Sequence, residues 1–393
     1  MMTTKNEALS YVKNQIDTLD IFKVVYDDIS DIKKIAEEFN KFDDVIVFGT
    51  GGSSLGAKSL VNFHSQNNNI RNKVHFIENT DSRSFLNKIS KCNKNKTGII
   101  VISKSGRTTE TIMLFLTLCE IWKDFDYEHN AIAITENSEN NDLKNIALQK
   151  KMRVIEHPKK IGGRFSVFSI VGLLPSSIQG ISIESFLNGA KKVIDEIKSI
   201  NNPEDSKIFM DIINEYESYK NGSINQHVLL TYSDFLNDLG KWFVQLTGES
   251  LGKSENFGIT PITTTGTVDQ HSMLQLFLGG PSNKFFTILM QEQNDITPNI
   301  NINLKSNVLD SINNHNILDL MNSHQKTTIE VLMKKAPVRI ISFKEFNEEN
   351  IGYFMMLSFI EIITIAHLAN INPFDQLAVE ESKKLVLNYV KQI

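Results

Sequence analysis

The hexapeptide Gly248-Glu249-Ser250-Leu251-Gly252-Lys253 sets one carboxylate among glycines, a hydroxyl and a lysine, directly after an apolar helical run. Glycines let a ligand come close to the backbone. A carboxylate partly withdrawn from water in such a place becomes a useful proton acceptor. Taken alone, the stretch reads more simply as a helix C-cap at Gly248 followed by a solvated loop charge. Gly162-Gly163-Arg164-Phe165-Ser166 opens a helix-like run ending near Pro175. Arg164 beside two glycines can reach into a cleft and hold developing negative charge, although a surface arginine on a turn fits the same letters. Thr263-Thr264-Thr265-Gly266 leads to Asp269-Gln270-His271-Ser272 and then an apolar helix with Leu274, Phe277 and Leu278. His271 in the first turn of that helix would stay neutral and available as a base, because the positive helix end disfavours imidazolium. The other histidines show no metal-ligand spacing. Asn372-Pro373-Phe374-Asp375-Gln376 is a turn signature, and Glu380 and Lys383 follow three apart on one helix face. By pattern alone that pair is a surface ion pair.

Two loops have the chemistry of an anion site. Gly49-Thr50-Gly51-Gly52-Ser53-Ser54 follows a strand pattern and precedes a helical one, so its backbone N–H groups and the helix dipole would favour negative charge. Ser103-Lys104-Ser105-Gly106-Arg107-Thr108-Thr109-Glu110-Thr111 carries five hydroxyls in nine residues, with two cations beside them. N-capping accounts for one hydroxyl, so five favour a compact phosphate monoester. Gly49-x-Gly51-x-x-Ser54, with Glu78 ending the next strand, nearly matches a dinucleotide fingerprint, but the third glycine is missing. The stretches Gly51 to Lys58 and Gly248 to Ser254 each miss P-loop spacing by one residue, which argues against ATP or GTP hydrolysis.

These groups need elements to hold them. Residues 7–40 show helical spacing, as at Ile16, Leu19, Phe22 and Val25. Strand patterns follow at 45–48, 74–77, 98–102, 131–135 and 153–156, with helices from Leu55 to Phe63 and from about Ile112 to Trp122 between them. The pattern restarts with helical residues 184–221 and strands at 227–231, 285–290 and 338–343. Alternation of this kind implies an α/β fold with mainly parallel sheets covered on both faces. The expected organisation is an N-terminal helical segment (1–42), two α/β domains (43–180 and 181–371) and a C-terminal helix (372–393) that completes the site.

The chain has 393 residues, 41% of them hydrophobic and 22% charged, which is ordinary for a soluble globular protein. A net charge of −5 argues against nucleic-acid binding but allows an anionic small ligand. Cys92 and Cys119 are far apart, so neither a disulfide framework nor a zinc site is indicated, and a cytoplasmic setting suits them. The first six residues are polar, with no apolar signal core. Tyr353 to Leu368 is apolar but short for a membrane span and carries Glu361 and His367, so a buried core helix is expected.

Six segments, in this order along the chain, resemble the phosphoglucose isomerase family: 49–56, 103–111, 162–166, 249–253, 266–272, and 372–376 with Lys383. The resemblance covers about residues 43–385. It implies two sugar-isomerase-type (SIS) domains and reversible interconversion of glucose 6-phosphate and fructose 6-phosphate through a cis-enediol, a step of glycolysis and gluconeogenesis. By position, Ser103, Lys104, Ser105 and Thr108 would hold the phosphate. Gly52, Ser53, Thr111 and Gln376 would line the substrate. Glu249 would move the proton between C2 and C1, Arg164 would stabilise the enediolate, and His271 and Lys383 would assist ring opening. The family implies no metal or redox cofactor, no nucleic-acid or membrane partner, and a homodimer in which His271 serves the partner's site. Ala378 and Ser382 replace the usual glycines near Lys383, Arg107 stands where a small or apolar residue is expected, and the chain is short for the family. An NAD(P)-dependent dehydrogenase using Gly49 to Glu78 is the alternative from another class. A non-catalytic sugar-phosphate sensor is disfavoured because Glu249, His271 and Lys383 are all retained.

Overall fold

The computed structural model describes residues 2–292 and 297–392. Strands β1 (Asp44–Phe48), β2 (Val74–Ile77), β3 (Thr97–Ile102), β4 (Ala131–Thr135) and β5 (Arg153–Glu156) form a parallel sheet in the order β2-β1-β3-β4-β5. β1, β3 and β4 are buried along their whole length, which is why they read as unbroken apolar runs. The chain leaves β1 toward β2 on one side and then crosses to β3 on the other. That reversal opens a crevice at the carboxyl ends of β1 and β3, where open α/β sheets take their ligands. Both candidate anion loops leave these two strand ends.

The second sheet comprises β6 (Gln226–Thr231), β7 (Thr260–Thr265), β8 (Lys284–Gln291) and β9 (Val338–Phe343), all parallel, in the order β7-β6-β8-β9. β7 was not among the expected strands. Its residues, Thr-Pro-Ile-Thr-Thr-Thr, are mostly only partly buried and carry a proline. Such a sequence hides as a loop, yet an edge strand tolerates proline and threonine suits a half-buried pleat.

One continuous core joins the two sheets, running from Val12 and Phe22 of the N-terminal helices through Val45 and Ile100 to Leu229 and Leu289. Its axis is the helix Glu348–Leu368, with Phe359 and Ile363 fully buried. This helix is long and apolar enough to cross a membrane by composition, but 83% of its apolar stretch is buried inside the fold, so the expected core helix is what forms. Glu361 on it shares Arg339 with Glu215, at 2.8 and 2.9 Å, so even its buried charge is paired. The run expected to end near Pro175 continues as the helix Ile170–Gln179, because buried Leu173, Leu174 and Ile178 extend the apolar stripe to Gly180, a left-handed terminus.

The core helix lies against the helix Ile183–Ser199 at backbone distance. A Cβ at Gly352 would stand 2.0 Å from the Phe186 carbonyl oxygen, and one at Gly189 would stand 1.8 Å from that of Glu349. Any side chain at either position must force the helices apart. Gly352→Val should therefore destabilise the fold by about 2–3 kcal/mol in urea unfolding, the cost of overpacking a closed interface; an unchanged midpoint would show that the helices do not meet this closely.

Candidate active site

Glu249 lies in the last turn of the helix Asn237–Leu251, not in a loop, and the helix runs through Gly248 to a cap at Gly252. Buried Leu246, Ser250 and Leu251 hold that last turn down, while Gly248 faces Pro261. The Glu249 side chain is 35% exposed and its oxygens are shared among three donors. Gln245, one turn earlier, donates to Oε1 at 3.0 Å; Arg164 donates to Oε2 at 3.2 Å; Gln376 also donates to Oε2.

Arg164 is not a surface arginine. Its side chain is 2% exposed, within the 3₁₀ turn Gly163–Phe168 that follows β5. Besides Glu249, its Nε donates to Ser250 Oγ at 2.8 Å, and its remaining nitrogen donates to the carbonyls of Pro373 and Asp375. Burial lowers the guanidinium's pKa, while the charges of Glu249 and then Asp375 oppose that shift. Lys253 also reaches Asp375, at 3.0 Å. The turn signature 372–376 is thus clamped over the helix end. A cleft of about 440 Å³ opens there, lined by Gly248, Glu249, Lys253, Asp375 and Gln376.

The first glycine loop meets this cluster. Gly51, at φ +58°, is so close to Gln245 that a Cβ would lie 2.8 Å from its Nε2, and Gly52 abuts the backbone of Gly163 and Arg164. Ser53 closes the short 3₁₀ turn Gly51–Ser53. Glu78, which a dinucleotide would need for its ribose, is occupied by Ser54 at 2.6 Å and by Lys58. The dehydrogenase alternative loses its acidic group on this account.

The hydroxyl loop leaves β3, the neighbour of β1, and so stands one strand spacing away, about 4.8 Å. Ser103 Oγ and Thr108 Oγ1 hydrogen-bond each other at 2.9 Å, and Thr108 does not cap the helix Thr109–Ile121 that follows. Among the described residues, the N–H groups of Lys104, Ser105, Thr108, Thr109, Glu110 and Thr111 have no hydrogen-bond acceptor. A cluster of free donors at a helix start is an anion cradle. Ser105 Oγ accepts from the Arg107 N–H at 3.2 Å, Arg107 is exposed, and Thr111 is buried with an unpartnered hydroxyl. Lys104 rests on Glu136 at 3.5 Å.

Two expected participants stand apart. Lys383 is 61% exposed on the terminal helix Glu380–Val390 and pairs with Glu380 at 2.7 Å, the ion pair that spacing alone suggests. His271 is exposed at the end of the 3₁₀ turn Val268–His271, and the apolar helix begins only at Leu274, so the helix-dipole argument for its neutrality does not apply. It follows the carboxyl end of β7. Glu249 lies in the last turn of the antiparallel helix joining β6 to β7, about 18 Å along the axis from its start at Asn237.

Gln245 escaped sequence reasoning, although its i, i+4 relation to Glu249 would have exposed it once the helix was carried past Gly248. So did His157, which is fully buried at the end of β5, with Nδ1 3.1 Å from the Pro158 carbonyl and Nε2 unpartnered.

Two parallel sheets flanked by helices, with a loop of free backbone donors at the switch point of the first and a carboxylate–guanidinium pair at a cleft, have the architecture of two sugar-isomerase-type domains. The family model described as phosphoglucose isomerase matches residues 7–393. A glucose-6-phosphate isomerase of Methanocaldococcus jannaschii is 32% identical over 378 residues, covering 94% of this chain and 89% of that protein. The crystal structure of a hypothetical protein from Thermus thermophilus superposes with a TM-score of 0.85 at 23% identity, covering 98% and 94% of the two chains. That of a glucose-6-phosphate isomerase from Chlamydia trachomatis gives 0.79 at 18% identity, covering 94% and 74%; both structures speak for the fold. The chain belongs to the phosphoglucose isomerase family.

Burial holds the His157 pKa down to about 4; the Pro158 carbonyl opposes this and the charge of Lys104 adds to it. Its ordinary value is 6.5, so on acidification the unfolded chain takes the proton first, and stability is lost as pH falls from 6.5 toward 4. The loss amounts to roughly 3 kcal/mol. His157→Gln should abolish that share of the acid sensitivity in urea unfolding at pH 7 and pH 4.5, whereas an identical pH dependence would mean that His157 titrates normally.

Proposed function

We propose that this protein interconverts glucose 6-phosphate and fructose 6-phosphate through a cis-enediol. The observation that carries the reading is Glu249, a half-open carboxylate fixed by Gln245, Arg164 and Gln376 at a cleft, with Gln245 touched by the glycine loop that leaves the strand next to that of the hydroxyl loop. An aldose–ketose shift needs a phosphate anchor, a base that can both take and return a proton, and a cation for the oxyanion. Ser103, Ser105, Thr108 and the free N–H groups hold the phosphate, and Lys104 turns from Glu136 toward it. Glu249 removes the proton from C2 and returns it to C1, and Arg164 stabilises the enediolate between the two steps. Phosphate binding energy, remote from the reacting carbons, holds them against Glu249. Gly52, Ser53 and Gln376 border the sugar, with Thr111 behind the phosphate.

His271 and Lys383 assist ring opening in this reading. Because Glu249 sits in the last turn of a helix whose first residue, Asn237, meets Thr265 at the carboxyl end of β7, the strand that His271 follows, we take the active form to be a homodimer in which His271 serves the partner's site. Lys383, seven residues beyond Gln376, would exchange Glu380 for the substrate. Residues 43–180 and 181–371 act as the two units that enclose the substrate, residues 372–393 close it in, and the enzyme works in the cytoplasm, where its two free cysteines are at home.

The test is a coupled assay on fructose 6-phosphate, run beside mannose 6-phosphate. Glu249→Gln keeps the shape of the site but not its base. It should lower kcat by about 10³-fold or more while binding of a phosphate analogue stays within about threefold of wild type. Near-full turnover in that variant would remove Glu249 from the chemistry.

A further inference from the structure

The hydroxyl loop rests on two side chains that the proposed mechanism does not use. Thr135 ends β4 and Asn141 precedes the helix Asp142–Gln149; both are fully buried. The Asn141 amide orientation is fixed, because Oδ1 accepts from the Lys144 N–H at 2.8 Å as a helix cap. Nδ2 is left to donate to Thr135 Oγ1 at 2.7 Å and to the Glu136 carbonyl at 2.8 Å. With its lone pair so engaged, the Thr135 hydroxyl donates to the Ser103 carbonyl at 2.7 Å.

That carbonyl also accepts the Gly106 N–H at 3.1 Å. Peptide groups are planar and trans, so fixing the Ser103 carbonyl fixes the Lys104 N–H on the opposite side, where it belongs to the free donors of the cradle. Asn141 also seats the other end of the turn. Gly106 has φ +65°, and a Cβ there would lie 1.7 Å from Asn141 Oδ1; its carbonyl accepts the Leu143 N–H at 3.0 Å. A valine would fill nearly the same volume at position 135, but it could neither donate to Ser103 nor accept from Asn141. What the hydroxyl adds is a hold on the loop.

We propose that Thr135 and Asn141 are positioning residues, a buried relay that orients the Ser103–Thr108 loop for a phosphate monoester. The proposal rests on reading that loop as the phosphate site. It acts through the seat of the phosphate, so its loss appears first in phosphate affinity and KM, with only a small share in kcat.

The test pairs Thr135→Val, which removes the hydroxyl at nearly constant volume, with Thr135→Ser, which keeps it. Inorganic phosphate is titrated calorimetrically, and kcat and KM are measured on fructose 6-phosphate. Thr135→Val should weaken phosphate binding and raise KM by about tenfold each, with kcat within about threefold, while Thr135→Ser stays within about threefold of wild type throughout. Unchanged phosphate affinity in Thr135→Val, or a loss confined to kcat, overturns the proposal, as does a wild-type protein that binds no phosphate. If wild type binds phosphate but turns nothing over, the isomerase reading fails while the titrations still judge the relay. Should Thr135→Val not fold, Asn141→Asp keeps the cap acceptor and removes the donor. It should lose about tenfold in phosphate affinity, and wild-type affinity there overturns the relay.

Discussion

A guanidinium taken almost wholly out of water must have every donor answered, or it will not stay buried. Arg164 comes close to that, each of its three nitrogens finding a partner among Glu249, Ser250 and two carbonyls of the C-terminal turn. Those partners come from two distant parts of the chain, the end of a helix in the second half and the segment after the core helix, and Arg164 ties both to the turn after the first sheet. Satisfying one buried charge therefore assembles the site. It also leaves the carboxylate only partly covered, with one face toward the cleft. Glycines are needed where these parts meet, since Gly51 and Gly52 let the first loop touch Gln245 and the Arg164 turn.

Topology supplies the rest. The order reversal between β1 and β3 opens a crevice over two adjacent loops, one rich in glycine and one in hydroxyls. The helix Asn237–Leu251 brings its carboxyl end to that crevice because its partner strands run the other way. The same geometry sends His271 to the far edge of the second sheet. A single chain therefore keeps the exposed His271 apart from Glu249, and the proposed second subunit rests on that separation.

The sheets were legible where strands are buried on both faces. Val45-Ile46-Val47-Phe48 and Ile99 to Ile102 leave no alternative of comparable length, and the continuous core helix announced itself through Phe354 to Ala366. β7 was illegible because its threonines and Pro261 carry no apolar run, and only pairing with β6 makes it a strand. Glu249 was legible by type and misplaced by element, since Gly248 looks like a helix stop until Pro261 is seen packed against it. The burial of Arg164 could not be read at all, because its partners lie between 85 and 211 residues away in sequence. Thr135 and Asn141 were silent for a like reason: their significance is a relay across strand ends.

The fork of Arg164, and not its charge alone, holds Glu249 where the proposed proton transfer needs it. Arg164→Lys tests this most directly, because it keeps the charge and removes the multiple donors. The measurement is kcat on fructose 6-phosphate beside the affinity for inorganic phosphate. A fall in kcat of about hundredfold or more with phosphate affinity within about threefold of wild type is the expected result; a wild-type kcat in Arg164→Lys would contradict the account.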